Sequence, residues 1–150
     1  MEDHEKFMRK AIRLSEHNIE YGLGGPFGAV VVKDGEVIAE SANTVVPEND
    51  PTAHAEVSAI RLACKKLNTY DLSGCVIYTS CEPCPMCLGA IYWARIDKIY
   101  YANTKADAAA IGFDDHFIYD EIACEMSVRR LPFVQLLRDE AQSAFKRWNG

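Results

Sequence analysis

Between Glu5 and about Tyr21 the apolar residues Phe7, Met8, Ala11, Ile12, Leu14 and Ile19 recur at spacings close to three and four, the period of an amphipathic helix. The pattern breaks at the turn-rich passage Leu23-Gly24-Gly25-Pro26-Phe27-Gly28. Two short apolar runs follow, Ala29 to Val32 and Val37 to Ala39, separated by Lys33-Asp34-Gly35-Glu36, and the Asp-Gly pair predicts an antiparallel hairpin. After the polar run Asn43 to Asp50, a helix is expected to about Leu67, capped by Asp50 or Thr52 with Pro51 in its first turn. Cys75 to Thr79 reads as a strand, Pro83 or Pro85 opens a helix through Leu88, Ala90, Ile91 and Ala94, and Ile99 to Ala102 reads as the next strand. Lys105 to Ile111 suits a short helix, Gly112 to His116 a loop, Pro132 to Leu137 a fifth strand, and Arg138 to Trp148 a last helix. Strands alternating with helices from Cys75 onward imply crossover connections and a partly parallel sheet. The expected fold is therefore α/β, a three-layer α/β/α sandwich around a mixed five-stranded sheet.

A chain of 150 residues, 49% of them hydrophobic, suits one domain spanning 1–150 with an enclosed core. Sixteen Lys and Arg against 22 Asp and Glu leave a net charge of −6, which offers no basic surface to a phosphate backbone or an anionic membrane. No nucleic acid and no membrane partner is expected. No run approaches the roughly 20 apolar residues that span a bilayer. The polar start Met1-Glu2-Asp3-His4-Glu5-Lys6 lacks the features of a secretory signal, so a cytoplasmic location is expected. The six cysteines, at 64, 75, 81, 84, 87 and 124, then read as thiols and, where they cluster, as metal ligands.

That cluster is Pro83-Cys84-Pro85-Met86-Cys87, preceded in the chain by His54 and Glu56. Cys84 and Cys87 are three apart on a predicted first helical turn, so their sulfurs share one face and can grip one ion. The unpaired N–H groups of the helix start favour the thiolate form that zinc binds. His54 at another helix start supplies a third ligand, and three protein ligands leave a tetrahedral position for water, the arrangement of a catalytic zinc, one per chain. Zinc lowers the pKa of its water to about 7, providing hydroxide at neutral pH. Glu56, beside a ligand but not itself one, is placed to shuttle the proton. Two other readings of the cysteines stand beside this one. A redox pair leaves the spacing of His54 and Glu56 unexplained, and a structural zinc with Cys81 as fourth ligand leaves Glu56 without a task. Cys64, Cys75 and Cys124 read as small buried hydrophobes.

H-x-E followed by P-C-x-x-C is the signature of zinc nucleobase deaminases, and on these residues the chain resembles the cytidine deaminase superfamily, most closely its small zinc-dependent bacterial guanine deaminases. The resemblance runs through Gly24 to Val30, Asn49 to Val57, Tyr78 to Arg95 and Ile111 to Asp115; Gly112-Phe113-Asp114-Asp115 and Tyr92-Trp93 are the stretches that point to guanine. It implies a homodimer in which the C-terminal segment can be exchanged between subunits, and a reaction taking guanine to xanthine and ammonia by attack of hydroxide at C2. By the same resemblance His54, Cys84 and Cys87 are the metal ligands and Glu56 the catalytic residue. Asn43 hydrogen-bonds the purine, Phe27 packs on it, and Ala55 and Trp93 belong to the pocket. Asp115 receives the 2-amino group, with Asp114 beside it.

Without the resemblance, Asn43 would read as a turn residue, Phe27 and Trp93 as core, and Asp115 as a loop or helix-cap residue. His4, His17 and His116 have no partner spacing and read as surface or core. Competing functions are deamination of guanosine or another small aminated ring, deamination of adenosine in tRNA, which the negative charge disfavours, and a non-catalytic zinc-bearing interaction module.

Overall fold

The structure is a computed structural model that describes residues 3–150; Met1 and Glu2, the first of the polar start, lie outside the described residues. It divides into two compact units, one ending at His116 and the other covering Phe117–Gly150.

In the first unit, helix α1 (His4–Glu20) begins at Asp3, whose carboxylate accepts the Lys6 N–H at 3.0 Å. Strands β1 (Gly28–Lys33) and β2 (Glu36–Ala42) form the predicted hairpin. Its turn residues Asp34 and Gly35 have φ of 50° and 76°, as a two-residue primed turn requires. A short helix α2 (Val45–Glu48), which the periodicity did not indicate, precedes α3 (Ala55–Leu67). The latter starts later than expected, with His54 at its N-cap. The reason is local: the Asp50 carboxylate accepts both the backbone N–H and the hydroxyl of Thr52, at 2.9 and 2.7 Å, so residues 50–52 close a turn instead of opening the helix.

Strand β3 (Cys75–Cys81) then leads through α4 (Pro85–Trp93) to β4 (Lys98–Asn103), and α5 (Lys105–Ala110) follows with Thr104 and Asp107 forming a capping box. The sheet order is β2-β1-β3-β4, with β1 antiparallel to both of its neighbours and β3 parallel to β4.

Alternation along the strands divides the core in two. Val30, Val32 and Tyr78 meet Phe7 and Ala11 of α1 on one face, while Ala29, Val31 and Ile77 meet α3 and Ile91 of α4 on the other. The unit is thus the expected three-layer sandwich. Ala55, Ala59 and Ala63, four apart and all fully buried, give α3 a flat stripe that lies close on the sheet. On the opposite face, a Cβ at Gly28 would meet the Ala11 carbonyl and come within 2.7 Å of the Leu14 Cβ, so α1 crosses β1 where only glycine fits.

The sheet has four strands among the described residues. The predicted fifth, Pro132 to Leu137, is irregular and exposed throughout. Pro132 has no N–H to give a ladder, and Leu137 takes φ 56° as the residue before α7 (Arg138–Arg147), which interrupts an extended run. In the second unit, helix α6, which starts in the first (His116–Ala123), is also unpredicted. Arg129 satisfies its end, donating to the Glu121 carbonyl at 2.8 Å while its guanidinium lies over the Phe133 ring.

Candidate active site

The starts of α3 and α4 meet at the carboxyl end of β3. His54 is the N-cap of α3, its extended backbone (φ −69°, ψ 155°) fixed by its N–H donating to Thr52 at 2.8 Å and by Thr44 donating to Ala53 at 3.0 Å. Cys84 is the N-cap of α4, with Pro85 in the first turn and its sulfur accepting the Cys87 N–H at 3.5 Å. Both caps therefore point the partial positive ends of their helices into one place.

There the His54 Nδ1 lies 3.5 Å from the Cys84 sulfur and 3.5 Å from the Cys87 sulfur. Zinc bonds of about 2.3 Å to sulfur and about 2.0 Å to nitrogen at tetrahedral angles hold such atoms about 3.5 Å apart, so the donor set and its spacing fit one zinc ion. Among the described residues this is the group whose ligand atoms all lie within 4.8 Å of one another, and Cys81 is not in it. Three such ligands would leave one tetrahedral position open, whereas a closed structural site would need a fourth. A hydrogen bond from the Cys87 thiol, with His54 adding a second, holds the Cys84 thiol down at about 4 against its burial. Cys87 moves the opposite way, because donating to Cys84 favours its protonated form. The Cys84 contact raises His54, partly offset by burial.

Glu56, in the first turn of α3, is buried at 6% exposure. Burial pushes its carboxyl up to about 7, its own backbone N–H pulling the other way and the Cys84 charge adding to the rise. It opens with His54 and Cys84 on a cavity of about 480 Å³, within the range of small-molecule sites.

The far walls bring together most of the remaining candidates. Phe27 lines the cavity and meets Phe113 edge to face, ring centroids 5.0 Å apart. Asn43 lines it at the end of β2, its Oδ1 accepting the Val45 N–H at 3.2 Å. Asp114 and Asp115 both line it. The first accepts the His116 N–H at 2.9 Å; the carboxyl of the second is raised, chiefly by burial.

Two candidates stand apart. Ala55 is packed into the core beneath α3, and Trp93 is 80% exposed at the end of α4; neither lines the cavity. Sequence reasoning missed Val45, Val46 and Pro51 on one side and Glu82, Lys105 and Ala108 on the other. The Thr104-to-Asp107 spacing of the capping box is a signal that could have placed the start of α5, but nothing local marks the Glu82 carboxylate that accepts the Lys105 N–H at 3.1 Å. The other cysteines are free thiols: Cys75 is buried, and Cys64 and Cys124 are half-buried. His4 is a packing residue, with its ring nitrogens 2.6 Å from the Tyr78 hydroxyl and 3.2 Å from that of Tyr100.

Comparison with known proteins agrees with this geometry. Residues 1–103 match the family described as the cytidine and deoxycytidylate deaminase zinc-binding region. The chain is 56% identical over 146 residues to guanine deaminase of Bacillus subtilis, covering 97% of this chain and 94% of that one. The crystal structure of guanine deaminase from Bacillus subtilis superimposes with a TM-score of 0.95 at 55% identity, covering 97% of this chain and 93% of the other. A tRNA-specific adenosine deaminase of Aquifex aeolicus is 44% identical, over 65% of this chain and 64% of its own. With its ligand triad, its buried glutamate and this match in place, the chain belongs to the zinc-dependent deaminase family of cytidine and deoxycytidylate deaminases.

Proposed function

We propose that this protein deaminates guanine hydrolytically, giving xanthine and ammonia. The observation that carries the reading is the convergence on one cavity, roomy enough for a purine, of His54 and Cys84 of the metal-binding triad, the buried Glu56 and the Asp115 carboxylate. The relative that matches over nearly the whole chain is a guanine deaminase, whereas the match to the tRNA-specific enzyme covers two thirds of it.

His54, Cys84 and Cys87 would hold one zinc ion, which when bound would supply an activated water. Glu56, shielded from solvent and poised near neutrality, would take a proton from the attacking water and pass it to the ring nitrogen N3, then carry that water's second proton to the amino nitrogen as the C2–N bond breaks. Both protons of the water are then placed, one on N3 of xanthine and one on the ammonia. Asp115 accepts a hydrogen bond from the 2-amino group, Asn43 holds the purine edge, and Phe27 packs on the ring face, with Asp114 keeping the Asp115 loop against the start of α6.

The same reading takes residues 1–150 as one deaminase domain acting on a small purine in the cytoplasm, a compartment that suits six free thiols. It also takes the protein as a homodimer with exchange of the C-terminal segment. Support comes from the exposed Tyr92 and Trp93 at the end of α4, and from Leu131, Val134, Leu136, Phe145 and Trp148, all more than half exposed in the second unit.

The test offers guanine, guanosine, adenine, cytosine, cytidine and an adenosine-containing tRNA loop separately and follows ammonia release. Guanine is expected to be turned over fastest, and Asp115→Ala to lose most of that rate with zinc retained, since a site built around a hydrogen bond rejects partners that cannot make it by roughly 10⁴. Preference for guanosine or for the RNA refutes the substrate assignment, and an unchanged Asp115→Ala refutes the role of that residue.

A further inference from the structure

Asn18 sits in the last turns of α1 at 1% exposure, a polar side chain buried at the edge of the sheet. Its Nδ2 donates to the Gly25 carbonyl at 2.7 Å and to the Asn43 carbonyl at 2.9 Å, and its own main-chain carbonyl accepts the Leu23 N–H at 2.8 Å. One amide therefore ties the turn after α1 to the end of β2. Gly25 and Phe27 on the first segment and Asn43 on the second all line the cavity, and the Asn43 N–H closes the pair by donating to Phe27 at 3.2 Å.

The junction has no slack. A Cβ at Gly24 would meet the Asn43 carbonyl and lie 3.1 Å from the Asn18 Nδ2, so the two segments are as close as glycine allows. From Phe27 the constraint passes to Phe113, two residues before Asp115, through their edge-to-face contact.

We infer that Asn18 is a positioning residue for ligand recognition: without reaching the cavity, it sets where Phe27 and Asn43 stand relative to His54 and Glu56. A ligand meets that wall in its ground state as well as in its transition state, so loosening the wall weakens binding in both. KM then rises while kcat is largely kept. The metal triad and Glu56 belong to the starts of α3 and α4 and take no hydrogen bond from the Asn18 amide; the link between them is Thr44, whose N–H donates to the Ala53 carbonyl beside His54. The inference rests on the reading of this cavity as the substrate site.

The test compares the zinc-loaded wild type with Asn18→Ala, Asn18→Asp, Asn18→Ser and Val32→Ala. Val32 belongs to the same α1-facing core but does not line the cavity, so it reports what loss of stability alone does. Zinc content, melting temperature, kcat and KM are measured on the ring that the wild type turns over fastest. Asn18→Ala is expected to raise KM about tenfold or more, with kcat within about threefold and one zinc per chain kept. Asn18→Asp keeps the volume but turns a carboxylate toward two carbonyl oxygens, and is expected to raise KM at least as much. Asn18→Ser keeps one short donor and falls between. Val32→Ala is expected to lower the melting temperature and leave KM unchanged.

An unchanged KM in whichever Asn18 variants fold overturns the inference. So does a fall in kcat that tracks loss of zinc, or an equal rise of KM in Val32→Ala. Should the fastest ring be other than guanine, the proposed function fails while the Asn18 comparison is decided on that ring. No turnover of any ring by the wild type overturns both.

Discussion

Replacing Glu56 by Gln is expected to make the protein a poorer catalyst and, at alkaline pH, a more stable one. The folded structure holds this carboxyl at about 7 against an ordinary value of 4.5, chiefly because it is buried. A raised value leaves stability intact below the unfolded value, where both states are protonated. That stability is lost as the pH rises through about 7, because the unfolded chain ionises freely while the folded one must bury a charge. At 1.36 kcal/mol per tenfold, the gap corresponds to about 3 kcal/mol. Gln has nearly the same shape and no charge, so it escapes this loss.

The assay is urea denaturation of metal-stripped wild type and Glu56→Gln at pH 5 and pH 8.5. The stability difference in favour of Gln is expected to widen by about 2–3 kcal/mol between the two pH values, or several degrees of melting temperature for a chain of this size. The zinc-loaded variant should meanwhile lose roughly 10²–10⁴ in kcat. A stability difference that stays constant with pH, or that shrinks toward pH 8.5, refutes the placement of Glu56 as a buried, desolvated carboxyl.

Cys84→Ser removes the sulfur that caps α4 and faces His54, so the purified variant is expected to hold far less than one zinc per chain by elemental analysis and to be inactive. Gly28→Ala places a methyl against the Ala11 carbonyl and Leu14 and is expected to lower stability by about 1–3 kcal/mol in denaturant titration.

Much of the first unit was legible because its signals are local. The Asp34-Gly35 pair specifies its own turn, and the three-and-four spacing of Phe7, Ala11 and Leu14 specifies which face of α1 is buried. The triad was legible for a similar reason: Cys84 and Cys87 on one turn, and His54 two residues from Glu56, keep their chemistry in the spacing. What escaped depends on contacts between distant segments. Asp50 looked like a helix cap because the sequence does not tell that Thr52 will take both of its bonds. Asn18 carries no local signal, since its two carbonyl partners are 7 and 25 positions away. Pro132 to Leu137 has the composition of a strand, yet β4 ends the sheet without it. Exposed Trp93 was grouped with the pocket on resemblance, and its own position at the end of α4 turns it outward.

The most direct measurement follows xanthine and ammonia together from guanine, using purified protein as loaded with zinc, after chelation, and after zinc is restored. The account predicts equal molar amounts of the two products from the loaded protein, loss of both on chelation, and their return with zinc. Turnover of guanine that survives complete removal of the metal, or a zinc-loaded protein that leaves guanine unchanged, would contradict it.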